Sequence, residues 1–359
     1  MKMNNDHIAA STDYSTGILK SDPLPWLIEE DKENPGIRYF ALTDLLDLPA
    51  DDPQVIVARK AIMSNGPVPV ILANQSAQGY WDNPEKAYYP KYRGIVWQLT
   101  FLSQLGADGN DPRLKASIEL VLDRYRSKYG GFSMNGNISG MIHCLQGNLI
   151  AALIDFNRLG DERLEAATDW LARSITGQDI APATEKAASV RYYRSANSAP
   201  GFSCSANDHK PCAWGAIKAM LALSKVPKDK QTGNISAAIE AGTAFLLSHD
   251  PAKADYPMGY NTKPNRSWFK FGYPVAYITD ILQNLEVLAN LGFGEDPRLE
   301  PALDLLCSKQ DQHGRWNMEY TYNGKTWVDI EVKGQPSKWV TLRALRVLKA
   351  AKKIRFQIQ

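Results

Sequence analysis

A chain of 359 residues, 44% hydrophobic and 22% charged, is long enough for one large domain or two medium ones and has the composition of an ordinary globular protein. Its 41 basic and 39 acidic residues leave a formal charge of +2, so the global balance argues against nucleic acid or an anionic membrane as partner. No apolar run reaches the roughly 18 residues of a membrane-crossing helix, and four cysteines in this length do not make a disulfide framework.

The chain begins "MKMNNDHIAASTDYSTG", which is polar and lacks the apolar core of an export signal. Residues 1–21 are therefore expected to be a flexible tail, residues 22–359 a single domain, and the protein cytoplasmic with reduced thiols. Segment 22–66 supplies a first helix pair. From there two signals recur. An Asp-rich turn opens an amphipathic run in "ADDPQVIVARKAIM", "DGNDPRLKASIELVL", "LGDERLEAATDWLA" and "FGEDPRLEPALDLL", as helix N-caps and first turns favour. A Gly-x-aromatic turn closes a run in "VILANQSAQGYW" (70–81) and "LLCSKQDQHGRW" (305–316), with weaker copies at Gly131, Gly201 and Gly259.

After each closing turn comes a more apolar helix: "YRGIVWQLTFLSQLG", "GMIHCLQGNLIAALIDFNRLG", "PCAWGAIKAMLALSKV", "GYPVAYITDILQNLEVLANLG" and "PSKWVTLRALRVLKAA". No run alternates as a strand does. Helix pairs repeating every 50 residues or so mean an α-solenoid or a closed ring. The second helices are apolar nearly all round, which requires burial on both sides, and a closed double ring provides that. The expected fold is an all-α (α/α)6 toroid, with five clear pairs and an N-terminal sixth.

The Gln-x3-Gly-x-Trp pattern at Gln310, Gly314 and Trp316, preceded by Leu306, resembles the QW motif of terpenoid cyclases of the squalene–hopene cyclase kind and of the related protein prenyltransferase β-subunits. "GTAFLLSHD" (242–250) matches its first half, with Asp250 in the Gln position. The resemblance covers roughly residues 55 to 355 and implies a toroid enzyme acting on an isoprenoid or other apolar substrate in a central cavity. The Asp-x-Asp-Asp acid of protonating cyclases does not occur, and Asp329-Ile-Glu331 is a distant echo. Phe202 stands two before Cys204, where a prenyltransferase carries the zinc-binding Asp.

Three constellations are candidates for chemistry. "GFSCSANDHKPCAWGAIKAML" (201–221) is expected to lead into the inner helix of its pair, with Cys144 near the start of the preceding one. Cys144, Cys204, His209 and Cys212 would then meet at one mouth of the ring, and three thiolates with an imidazole suit tetrahedral zinc, with His143 as substitute ligand. The same residues also fit a metal-free thiol acid–base site, or cysteines buried as small apolar side chains. Cys307 is read as structural.

Tyr273, Tyr277, Asp280 and Asn284 fall on one stripe of the expected helix after Gly272. That would turn Asp280 into the cavity, where desolvation would raise its pKa and suit it to general acid–base work beside Tyr277. The alternative for Asp280 is a hydrogen bond to a neighbouring helix. At the helix entrances, "YYPKYRG", "VRYYRS", "RSWFKFGYP" and "PSKWVTLR" interleave bases with aromatics. Lys91, Arg93, Arg266, Trp268, Tyr273, Lys338 and Trp339 are thus candidates to bind an anionic head and an apolar tail, helped by helix N-termini, or bases that snorkel from an aromatic rim. No P-loop or dinucleotide fingerprint occurs, so no nucleotide cofactor is expected. Three readings remain open: a zinc enzyme on an isoprenoid-like molecule, a metal-free Cys/His/Asp dehydratase–isomerase, and a binding module with structural cysteines. Glycan chemistry, needing paired carboxylates such as Asp280 with Glu319 or Glu331, is a weaker fourth.

Overall fold

The acidic turns are helix caps in the computed structural model, which describes residues 10–13, 17–182, 184–191 and 199–358. Asp52 opens α3 (Pro53–Ser64), Asp111 opens α6 (Pro112–Arg124) and Asp161 opens α8 (Glu162–Thr176), each accepting the N–H two residues on. In α6 and α8 that residue is arginine, and its guanidinium folds back onto the capping carboxylate at 2.8 and 2.7 Å. Asp296 and Arg298 repeat the device, at 2.6 Å, ahead of α12 (Glu300–Ser308). These caps, with α1 (Leu24–Ile28), α4 (Pro67–Ala73) and α10 (Gly233–Leu247), belong to the outer layer. Its helices bury one stripe only, as Leu164, Ala167, Leu171 and Ile175 show in α8.

The inner layer consists of α2 (Pro35–Phe40, continued by a π turn Ala41–Leu45), α5 (Ile95–Gln104), α7 (His143–Asp155), α9 (Ala213–Ser224), α11 (Ile281–Leu288) and α13 (Lys338–Ala350). Every residue from Ile95 to Ser103 and from Trp339 to Leu345 is buried. Each inner helix packs on the next, α5 on α7, α7 on α9, and so on through α13 to α2. Gly36 of α2 lies against the Leu105 carbonyl and Gly106 against the Phe40 ring, which closes the circle. The fold is an all-α toroid of six helix pairs.

The closing turns hold neighbouring units together. The indole N–H groups of Trp81 and Trp316 donate to the carbonyls of Ile71 and Leu306, ten residues back and each at 2.8 Å. Gln75 reaches α6 of the next unit, bonding the Arg113 carbonyl and the Ser117 hydroxyl. Two weaker copies follow the same geometry in a register different from the one expected. Tyr256, not Tyr260, stands in the Trp position and donates to Leu246 O, with Ala254 (φ 52°) where Gly79 has φ 88°. In the other, Phe132 has no N–H to give, and Arg126 Nε bonds Leu122 O instead, with Gly130 (φ 101°) at the turn.

Four expectations are corrected. Residues 17–21 are not a tail: Leu19 is in the core, and Gln310 bonds both Ile18 O and the Lys20 N–H. Strand β1 (Ala10–Asp13) pairs antiparallel with β4 (Arg355–Ile358), and β2 (Trp316–Asn317) with β3 (Pro336–Ser337), so short strands exist; the expectation for residues 1–9 and 14–16 lies outside the described residues. Stretch Pro53–Ala73 does have the length and hydropathy of a crossing helix, yet Gly66 (φ 68°) divides it into α3 and α4. Most consequential, residues 272–280 are not helical. They run as an irregular strap across the ring, held by four inner helices: Val275 by Gln104, Ala276 O by Asn148, Thr279 by Lys218, and Asp280 by Arg343.

Candidate thiol site at the N-terminal mouth of the ring

Close approach of α7 and α9 builds the site. A Cβ on Gly147 would overlap the backbone at Lys218, so only glycine lets the two helices meet there. One turn away, a Cβ on Gly215 would stand 4.0 Å from both Cys144 Sγ and Cys212 Cβ. Cys212 is the N-cap of α9. Cys204 is delivered to it by a short antiparallel bridge, Ser203 opposite Pro211, with Cys212 N donating to Phe202 O and Cys204 N to Lys210 O. Neighbouring positions on this ribbon put both thiols on one face. They share a hydrogen bond, and all four cysteines of the chain are unpaired by disulfide.

Charge is distributed unevenly among the thiols. Cys212 is lowered to about 6, first by the Cys204 hydrogen bond and then by the Gly215 and Trp214 amides and the Lys218 ammonium. The same hydrogen bond raises Cys204, and burial raises Cys144 to about 11. Lys218 is fully buried in a helix that is otherwise apolar, hydrogen-bonded to Thr279 Oγ1. Burial lowers its pKa, while Cys144, Cys212 and Asp280 favour its charged form. A buried ammonium requires a counter-charge, and a Cys212 thiolate supplies one.

The mouth above the thiols is aromatic. Lys91 Nζ lies 3.7 Å from the centroid of the Tyr277 ring, and Trp214 meets the same ring edge-on at 5.9 Å. Tyr92 packs on Tyr322 at 4.4 Å, and burial holds the Tyr88 and Tyr277 hydroxyls protonated well past their usual range. Lys91, Tyr92, Trp214 and Tyr277 are all half-buried, so this face is open.

The expected site residues therefore divide. Cys144, Cys204, Cys212, Lys91 and Tyr277 come together. His209 does not join them: it is exposed on the turn at φ 56°. Among the described residues no three of His, Cys, Asp and Glu form a metal-ligating group. His143 is buried against Ser174 and the Phe202 ring. Asp280 is the N-cap of α11, accepting from Gln283 N at 2.7 Å and paired with Arg343 at 3.3 Å, rather than an acid on a helical stripe.

Tyr273 stacks on Trp339 at 4.2 Å and donates to Gln104 O. Trp268 bonds Pro251 O, and Trp339 bonds Asn34. Lys338 pairs with Asp31, while Arg266 is exposed and Arg93 lies over Trp327. Tyr192–Ser195, from the fourth such stretch, lie outside the described residues. Glu319 is bound to Lys309, and Glu331 accepts from the Ser337 hydroxyl and the Lys338 N–H at the start of α13. Sequence reasoning passed over Lys218, although a lone Lys inside "AWGAIKAMLALS" is a visible signal.

A second feature lies across the strap. A central cavity of about 770 Å3 opens at the C-terminal ends of the inner helices, with residues of all six in its wall.

No family model matches the chain, and no curated protein matches it in sequence. Solved structures with a similar chain path include an unsaturated glucuronyl hydrolase specific for heparin (12% identity, 92% of this chain and 86% of that one, TM-score 0.46). Others are type II terpene cyclase MstE from Scytonema (12%, 80% and 96%, 0.31) and a protein from Actinoplanes (14%, 89% and 90%, 0.40). Identities this low say nothing about chemistry.

Proposed function

We propose that the protein is a metal-free enzyme that moves protons with the Cys212 thiolate, acting on a small amphipathic molecule at the N-terminal mouth of the ring. The observation that carries this reading is the fully buried Lys218 in the helix whose N-cap residue is Cys212. Together they stabilise a thiolate near neutral pH, and a base is most effective when its pKa is close to the working pH. Cys204, hydrogen-bonded to Cys212, is placed to exchange the proton taken up. Lys91 attracts the anionic end of the substrate, while Tyr277, Trp214 and Tyr92 offer apolar faces to its body. An isoprenoid chain with an acidic head fits that description. The reaction class is an isomerase step, in which a proton leaves one substrate atom and returns to another, or a lyase step, in which the proton leaves one atom and the group on the neighbouring atom departs with the bonding electron pair and takes up a proton.

The test is the rate of Cys212 carbamidomethylation, followed by mass spectrometry from pH 4.5 to 9.5. The expected profile has its midpoint near pH 6, and geranyl diphosphate slows the reaction. Lys91→Ala abolishes that protection and leaves the midpoint near pH 6. A midpoint at or above about 8.5, the value of an ordinary thiol, overturns the reading.

A further inference from the structure

The pair Cys204 and Cys212 can support a chemistry other than proton transfer. Their sulfurs share a hydrogen bond, in which the Cys204 thiol donates to Cys212. Both side chains are half-buried on the open face of the mouth rather than sealed in the core. The ribbon that carries them is held in place: Cys212 N donates to Phe202 O and Cys204 N to Lys210 O. In the turn between, Asn207 donates to Pro257 O and accepts from Gly259 N. Two cysteines on one face of a ribbon, in sulfur contact and within reach of solvent, meet the geometric requirement for a disulfide that their Cβ vectors do not point apart.

Cys144 is the competing partner for Cys212, and its place is less favourable. It stands on α7, which is locked against α9 where Gly147 meets the Lys218 backbone. Burial raises it to about 11, so little of it is the reactive thiolate. Cys204 is raised too, but first by its hydrogen bond to Cys212. Oxidation of Cys212 removes that cause and releases Cys204 to react.

We propose that Cys212 and Cys204 are a site of reversible oxidation, in which Cys212 attacks a hydroperoxide and Cys204 resolves the product to an intramolecular disulfide. In the first step the Cys212 sulfur forms an S–O bond as the O–O bond of the peroxide breaks. The second oxygen leaves with the electron pair and takes up a proton from solvent, and Cys212 becomes a sulfenic acid. The Cys204 sulfur then attacks Cys212: the S–S bond forms, the S–O bond breaks, and the hydroxyl departs with the Cys204 proton as water. The two thiols are oxidised and one peroxide is reduced. The disulfide removes the Cys212 base, so a hydroperoxide switches off the activity proposed above, but the pair itself rests on the geometry of the ribbon.

Peptide mapping by mass spectrometry on the full, pre-reduced chain tests it. Hydrogen peroxide is added at about pH 8.5, where an ordinary thiol is also half ionised, with dimedone present to trap sulfenic acid. Wild type is expected to form a Cys204–Cys212 link, which slows Cys212 carbamidomethylation at least tenfold until dithiothreitol restores it. Cys204→Ser should instead give at least fivefold more dimedone adduct at Cys212 than wild type, while Cys144→Ser should form the same link as wild type. In concentrated urea the wild-type chain should shift from link towards adduct, because the fold no longer holds the thiols together. The link in wild type is read without any variant, and thermal melts show that the variants are folded. The proposal is overturned if no link forms, if Cys212 links to Cys144, if wild type gives as much adduct as Cys204→Ser, or if urea leaves the proportions unchanged. A link together with an alkylation midpoint of about 8.5 sinks the proton-transfer reading alone, and a midpoint near 6 with no link sinks this proposal alone.

Discussion

His143 and Cys144 are sequence neighbours with opposite fates. Cys144 reaches the open mouth, while His143 turns inward, its Nε2 3.2 Å from Ser174 Oγ, and burial lowers it to about 4. Its pKa in the unfolded chain is about 6.5, so the unfolded state takes up the proton first. The neutral ring's contribution to stability is complete above pH 6.5 and is lost as pH falls through 4. Between pH 7 and 4.5 this costs about 2–3 kcal/mol. Urea melts at the two pH values should show that loss in wild type and a correspondingly smaller one in His143→Gln, which cannot ionise; equal losses in the two proteins would remove His143 as the cause. The sequence placed the cysteines at one mouth because helix phase and repeat position are both legible. It could not place His209, since a turn residue at φ 56° has no periodicity to follow. The role of Lys218 depends on which helix packs against it, and that is not written locally.

At the scale of elements, the strap from Gly272 to Asp280 is the main departure from the pattern. Tyr273, Tyr277, Asp280 and Asn284 have helical spacing, but Pro274 disfavours helix in the residue before it and offers no N–H of its own. Spacing without regard to that proline misread the segment. The strap keeps its conformation through borrowed hydrogen bonds: Gln104 accepts from Val275 N at 2.8 Å and donates to Val275 O at 2.6 Å. Gln104→Leu preserves size and removes both, which should cost about 1–3 kcal/mol in a chemical melt. Because Tyr277 is part of the strap and lies against Lys91, the variant should also expose Cys212 to faster alkylation. A stability loss with no change in alkylation would mean that strap and mouth are mechanically separate. The outer helices posed no such problem. Their Asp-Pro-Arg and Asp-Glu-Arg openings cap through residues two apart, so the signal is entirely local.

The whole molecule is a ring, and a ring has a seam. The last closing turn meets the first segment there: Gln310 holds Ile18 and Lys20, and Gly314 (φ 69°) packs on the Ser21 carbonyl so closely that a Cβ would overlap it. The same motif that joins consecutive units elsewhere thus joins the last unit to the first. In an open solenoid, damage at one end stays with its nearest neighbours. In a closed toroid both flanks of the seam should loosen together. Gly314→Ala combines backbone strain with the overlap at Ser21. Gly324→Ala, at φ 74° with nothing within 4 Å of the new methyl, carries the strain alone. Gly314→Ala should therefore lower stability by about 1–3 kcal/mol more than Gly324→Ala. Hydrogen exchange should show faster amide exchange in α1 and α2 as well as in α12 and α13. If the two variants are equally stable, or if only α12 and α13 exchange faster, this turn does not hold the ring closed, and the other contacts across the seam, the β1–β4 pairing and the Trp339–Asn34 and Lys338–Asp31 bonds, must do so.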